Sequence, residues 1–216
     1  MNAQQRLPNN YFGTYYGIIK SDEDAARVIE GCIQDRLPLI RTRLNESKRR
    51  LIDGGFVFVF KSNSRRERQS DNIQRWTDGK LWSPSKILDN FLIYCELIAN
   101  YKPLNQSLDY HPDDMQDMEY LNNLSLDPHN ELGVINKRYW IDNQKGIFIP
   151  KLDGLIKKTL TISLRSGDYH LIAYEFAQLP TNHEFPLLTP NNYLELSELK
   201  IDYLTENLKI NRFKKA

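Results

Sequence analysis

Cysteine is scarce in this chain. Its 216 residues hold only Cys32 and Cys95, too few for a disulfide framework. Each sits within an apolar pattern, which predicts two free, buried thiols. Long apolar runs are missing too. None approaches the roughly 20 residues that a membrane helix needs. The opening Met1-Asn2-Ala3-Gln4-Gln5-Arg6 is not followed by the apolar stretch of a secretory signal. The expected setting is intracellular, with no membrane partner. Neither an internal repeat nor a heptad repeat occurs, so a solenoid and a coiled-coil dimer are not predicted.

The usual carriers of catalysis are also lacking. The four histidines, His111, His129, His170 and His183, stand at no metal-ligand spacing. Pro and Asp surround His111 and His129, which is loop chemistry. His170 falls in a strand-like run, where a structural hydrogen bond is expected. No Gly-x-Ser-x-Gly, lysine-bearing phosphate loop or dinucleotide fingerprint is present. Asp53-Gly54-Gly55 leads into a strand rather than a helix, the wrong context for cradling phosphate. No paired carboxylates mark a pocket. An enzyme, a metal site, a cofactor and a small-molecule substrate are therefore all not expected.

What the chain does have is segregated charge. The net charge is only +1. Yet residues 36–86 carry thirteen Lys/Arg against five acids, a local balance of +8. Residues 105–135 carry seven acids and no Lys or Arg. A one-signed stretch makes a local positive field that attracts phosphate.

The pattern along the chain is mixed. Residues 12–19 are aromatic and β-rich and read as a strand. Ser21 caps a helix with Asp22, Glu23 and Asp24 in its first turn, ending before Pro38. Asn45 caps a short basic helix over 46–52, stopped by Gly54 and Gly55. Residues 56–60 alternate Phe and Val, a strand covered on both faces. Residues 61–74 read as a basic surface loop. Ser83 as N-cap and Pro84 at N1 predict a further helix presenting Ile87, Leu88, Phe91, Leu92, Cys95 and Ile98. Residues 100–135 read as an acidic, partly disordered surface insertion. Short β-like runs follow at 137–141 and 146–149. A stronger pair, 155–164 and 169–176, flanks the turn residues Arg165-Ser166-Gly167-Asp168. Residues 191–208 read as helical.

The class is α+β with an antiparallel sheet. The N-terminal part offers only two confident strands, too few for an independent sheet. One sheet shared by an N-terminal and a C-terminal segment, flanked by helices, is therefore expected. The boundaries are 10–100 for the first segment, 101–136 for the insertion, 137–180 for the second segment and 181–216 for a helical extension.

The densest chemistry lies in Arg75-Trp76-Thr77-Asp78-Gly79-Lys80, followed by Trp82-Ser83-Pro84-Ser85-Lys86. Thr77-Asp78-Gly79 is turn chemistry, with Gly free to take positive φ. Trp76 and Trp82 are expected to anchor the loop, Asp78 to orient it and Arg75 to project. Arginine suits a narrow A/T-rich minor groove, because its cation is weakly hydrated and the groove's potential is strongly negative. Neighbouring cations would fix register on the phosphates.

These motifs resemble the WOPR family of fungal transcription regulators, the white–opaque regulator type. The resemblance is carried by residues 14–17, 28–44, 55–60, 75–79, 82–85 and 90–94, then by 154–161 and 170–174. It implies sequence-specific binding to A/T-rich double-stranded DNA, a nuclear location and control of morphology or developmental genes. It also implies that the two segments interdigitate in one sheet. The family's Arg-Trp-Thr-Asp-Gly loop reads the minor groove, which assigns that role to Arg75, Trp76, Thr77, Asp78 and Gly79. The expected phosphate and flanking contacts are Lys80, Arg41, Arg43, Lys61, Arg65, Lys86, Lys157 and Lys158. Other transcription regulators are further expected partners. The competing reading is a protein-interaction module whose basic face docks an acidic partner, residues 105–135 of the same chain among the candidates.

Overall fold

The computed structural model describes residues 8–9, 11–62, 73–97, 141–142, 146–147, 151, 153–177 and 187–213. Arg65, Ile98, the acidic stretch 101–136 and most of the 61–74 loop lie outside the described residues.

Alternating Phe and Val at 56–60 dictate a strand with two apolar faces, and the fold uses both. Six strands form one antiparallel sheet in the order β1-β2-β8-β7-β4-β3. They are β1 (Tyr15–Tyr16), β2 (Phe56–Ser62), β3 (Lys86–Leu88), β4 (Phe91–Cys95), β7 (Leu155–Leu164) and β8 (Gly167–Phe176). Two further strands among the described residues, β5 (Ile141–Asp142) and β6 (Gly146–Ile147), pair with each other. The shared sheet expected from the strand count is present. The C-terminal hairpin β7–β8 lies between β2 and β4 of the N-terminal segment. Phe60 registers with His170 across β2–β8, and Tyr94 with Lys157 across β4–β7.

One face of the sheet packs on helices. Helix α1 (Asp22–Ile33) starts at Ser21, whose hydroxyl accepts from Asp24 N while Asp24 accepts from Ser21 N. This capping box satisfies two donors that the helix leaves free. Ala25, Val28, Ile29 and Cys32 on α1 meet Val57, Val59, Leu171 and Ala173 in one cluster. Helices α3 (Leu194–Ser197) and α4 (Asp202–Phe213) complete it with Leu196, Leu204 and Leu208. The expected C-terminal helical stretch is thus divided, with a 3-10 turn at Pro190–Asn192 before it. Both cysteines are buried here, and neither is in a disulfide. Burial pushes the Cys32 thiol up to about 12 and that of Cys95 up to about 11, so neither is a ready nucleophile.

The opposite face carries a second cluster of Phe56, Phe58, Phe60, Ile172 and Tyr174, covered by Ile52, Ile73, Trp76 and Trp82. Among the described residues, the helix on this side is the single turn α2 (Glu46–Arg50), capped by Asn45 through Lys48 N. The segment from Ile73 to Trp82 is therefore the lid of the second core.

Two expectations are corrected. The strand over 12–19 shrinks to Tyr15 and Tyr16, because Ile18 N leaves the sheet to donate to Leu188 O. The helix expected from Ser83 is instead the hairpin β3–β4. Phe91, Ile93 and Cys95 are buried while Leu92 is exposed, a period of two. Asp89 takes φ 53°, the left-handed conformation that Asp tolerates in a tight turn. Ser83 caps no helix. Its hydroxyl accepts from Cys95 N at 3.0 Å and donates to Pro84 O.

Candidate nucleic-acid interface

The run from Arg75 to Lys80 crosses the face of the second core with its residues turned alternately in and out. Arg75, Thr77 and Gly79 are exposed, whereas Asp78 is 6% exposed and Trp76 is partly buried. Trp76 lies flat on Phe60, with centroids 5.9 Å apart and 12° between planes. Its indole Nε1 donates to the Tyr174 hydroxyl at 2.8 Å. The tryptophan therefore fixes the loop through both its ring and its single donor.

Asp78 holds the other end. Its Oδ2 accepts from Tyr174 Oη at 2.7 Å and from Lys157 Nζ at 3.0 Å. Its Oδ1 accepts from Trp82 Nε1 at 3.0 Å and from Lys80 N at 3.2 Å. Burial alone would raise the Asp78 carboxyl. The Lys157 ammonium and the hydrogen bonds from Trp82 and Tyr174 outweigh it and hold the group below the usual aspartate range. Burial, then the Asp78 charge, push the Tyr174 phenol well above its ordinary value, so it stays a donor. Gly79 takes φ 76°, where an L side chain is strained. The result is a short loop with a rigid inner side and an outward guanidinium at Arg75.

Glu96 makes a second tie. Its Oε1 pairs with Lys80 Nζ at 3.4 Å and Lys151 Nζ at 3.6 Å, while Oε2 accepts from Leu155 N. Beside Arg75 opens a groove of about 360 Å³, lined among others by Trp82, Tyr94, Lys157, Thr161 and His170. His170 stacks on Phe60 and bridges Ser62 and Thr161 through its two ring nitrogens. Burial lowers its pKa, so the ring is neutral at pH 7.

The structure sorts the remaining sequence candidates. Arg41 and Arg43 are exposed beside Ile40, whose N donates to Val59 O. Lys80 shares the loop but leans on Glu96. Lys157 is nearly covered: it sits over the Trp82 ring at 4.1 Å and the Tyr94 ring at 4.9 Å, with its charge on Asp78. Lys158 points to the helical face, where it pairs with Glu175 at 2.9 Å. Lys61 lies over the Tyr169 ring, also toward that face. Lys86 stands opposite Ile93 on the edge strand β3. Arg75, Thr77, Gly79, Arg41 and Arg43 are thus exposed, and Lys157 and Lys158 are tied into ion pairs. Two participants were not among the expected site residues. Tyr174 and Glu96 each sit in an ordinary strand or helix pattern, and only the fold brings them to the loop.

The pattern of the Gti1/Pac2 family matches residues 14–176. The chain belongs to this family. The cAMP-independent regulatory protein pac2 of Schizosaccharomyces pombe is 33% identical over 199 residues, covering 88% of this chain and 80% of pac2. The global transcription regulator FGP1 of Gibberella zeae is 30% identical over 205 residues, covering 80% of this chain. The chain spans only 56% of FGP1's length. The WOPR domain of Wor1 from Candida albicans, solved in complex with a 13-bp double-stranded DNA, superposes with a TM-score of 0.55. That match covers 92% of this chain and 97% of the domain at 24% identity. The WOPR resemblance carried by the motifs therefore holds, and the Gti1/Pac2 fold is the one seen here.

Proposed function

We propose that this chain is a sequence-specific double-stranded DNA-binding transcription regulator that acts in the nucleus. It reads A/T-rich sites with the loop of Arg75 to Gly79 in the minor groove. The carrying observation is the division within that loop: Trp76 and Asp78 are tied inward while Arg75 is exposed. A guanidinium on a pre-shaped loop enters a groove without first ordering the backbone that carries it. Arg41 and Arg43, exposed on the same basic stretch, take phosphates and fix register. The regulator names of pac2 and FGP1 and the DNA-bound state of the Wor1 domain support this reading and argue for a role other than catalysis. Residues 10–100 and 137–180 form the two halves of the DNA-binding unit, 101–136 an acidic insertion between them and 181–216 a helical extension.

Selection of sites from random duplexes, followed by titration across salt concentrations, tests the proposal. Binding to the selected duplex falls steeply with salt, because neutralised phosphates release counterions. Arg75→Ala lowers discrimination between the selected and a random duplex by about 1–3 kcal/mol. Unchanged discrimination in that variant sinks the minor-groove role. Failure of the wild type to retard any duplex at low salt favours the docking of an acidic protein instead.

A further inference from the structure

We propose that Arg49 is a second DNA contact: a phosphate-binding guanidinium set beside the tip of the reading loop. This rests on the reading of the Arg75 loop as the DNA-facing element and adds a residue that neither the loop motif nor the charge count singled out.

The last turn of α2 carries three consecutive cations, Lys48, Arg49 and Arg50. Two have visible occupations. Lys48 Nζ lies 5.5 Å from the Phe12 ring centroid. Arg50 pairs with Glu46 one turn earlier. Arg49 differs. Its Nε is buried and has no hydrogen-bond partner among the described residues, and no acid there forms an ion pair with it. Its Nη1 is the nearest group to the open side of Gly79, 4.0 Å from where a Cβ on that glycine would stand. Arg49 therefore flanks the end of the loop opposite Arg75.

A partly buried guanidinium with a donor unused is costly. A phosphate oxygen offsets that cost from outside, at the terminal nitrogens beside Gly79 rather than at the buried Nε, since guanidinium and phosphate match in charge and in fork geometry. The platform is also firm. Asn45 caps α2 through Lys48 N and Ser47 Oγ, and Ile52 just after the helix is buried in the same cluster as Trp76 and Tyr174. The turn that carries Arg49 and the loop that carries Arg75 thus share one foundation. Their spacing is fixed before DNA arrives.

The roles differ, and the difference is measurable. Arg75 discriminates between sequences, whereas a phosphate contact at Arg49 strengthens all duplexes alike. In the full chain, Arg49→Gln weakens binding to the selected and to a random duplex by the same factor. It also flattens the slope of log affinity against log salt by about one unit, while thermal unfolding stays cooperative. Arg49→Lys keeps the slope. A full slope in Arg49→Gln, or a slope lost equally in Arg49→Lys, overturns the proposal. So does a lowered melting temperature with no change in slope, which would make Arg49 a packing residue. If the wild type shows salt-dependent, selective binding that Arg75→Ala impairs, those outcomes reject Arg49 alone. If the wild type binds no duplex, both readings fall together.

Discussion

Asp78 is the residue on which the loop's shape depends. Its two oxygens take a phenol, an ammonium, an indole N–H and a backbone N–H. Asp78→Asn leaves the Lys157 charge buried beside a neutral amide. Breaking a buried pair from one side costs about 3–5 kcal/mol, to be measured by denaturant unfolding. The pH dependence follows in sign. A carboxyl held below its unfolded value binds protons more readily in the unfolded chain. Its contribution is full above an unfolded pKa of about 3.9 and fades as pH falls through the lower folded value. Stability of the wild type therefore drops below about pH 4, and Asp78→Asn lacks that part of the drop. A variant as acid-sensitive as the wild type would show that other carboxyls dominate.

At the scale of elements, the hairpin β3–β4 shows how a firm local signal misleads. Ser83-Pro84 has the residues of a helix start, and Ile87, Leu88, Phe91, Leu92 and Cys95 fit helical spacing. Ile93, buried at 2% exposure, was the discordant residue, since it completes the alternation of a strand. Ser83 instead bonds the far strand through Cys95 N. Ser83→Ala leaves that buried N–H without its acceptor and destabilises the fold by about 1–3 kcal/mol. An N-cap loss at the mouth of an exposed helix would instead leave Cys95 N untouched. Hydrogen exchange at the Cys95 amide separates the two, and accelerates in the variant. By contrast β2, β7, β8 and α1 were legible because each carries a long pattern or a complete cap. The loop motif was legible as well. Its clamp was not: Lys157 and Tyr174 stand 79 and 96 residues from Asp78, and each reads locally as an ordinary strand position.

The whole molecule explains why the loop cannot be separated from the C-terminal segment. Strands β7 and β8 stand between β2 and β4. Without them β2 keeps only its two pairs with β1, and β4 only its three with β3. Such isolated two-stranded ribbons are marginal in water. The second core loses Ile172, Tyr174 and Leu155 in the same step, and Asp78 loses both Lys157 and Tyr174. A chain ending at residue 97 keeps every residue from Arg75 to Gly79, yet lacks the floor on which they lie. It is expected to show no cooperative unfolding and no retardation of the selected duplex. Supplying residues 141–216 as a separate chain restores both, because the missing contacts are all noncovalent. Cooperative unfolding of the truncated chain on its own would mean that the first segment is a complete domain. Restoration of fold without restoration of binding would place part of the DNA contact in residues 98–140.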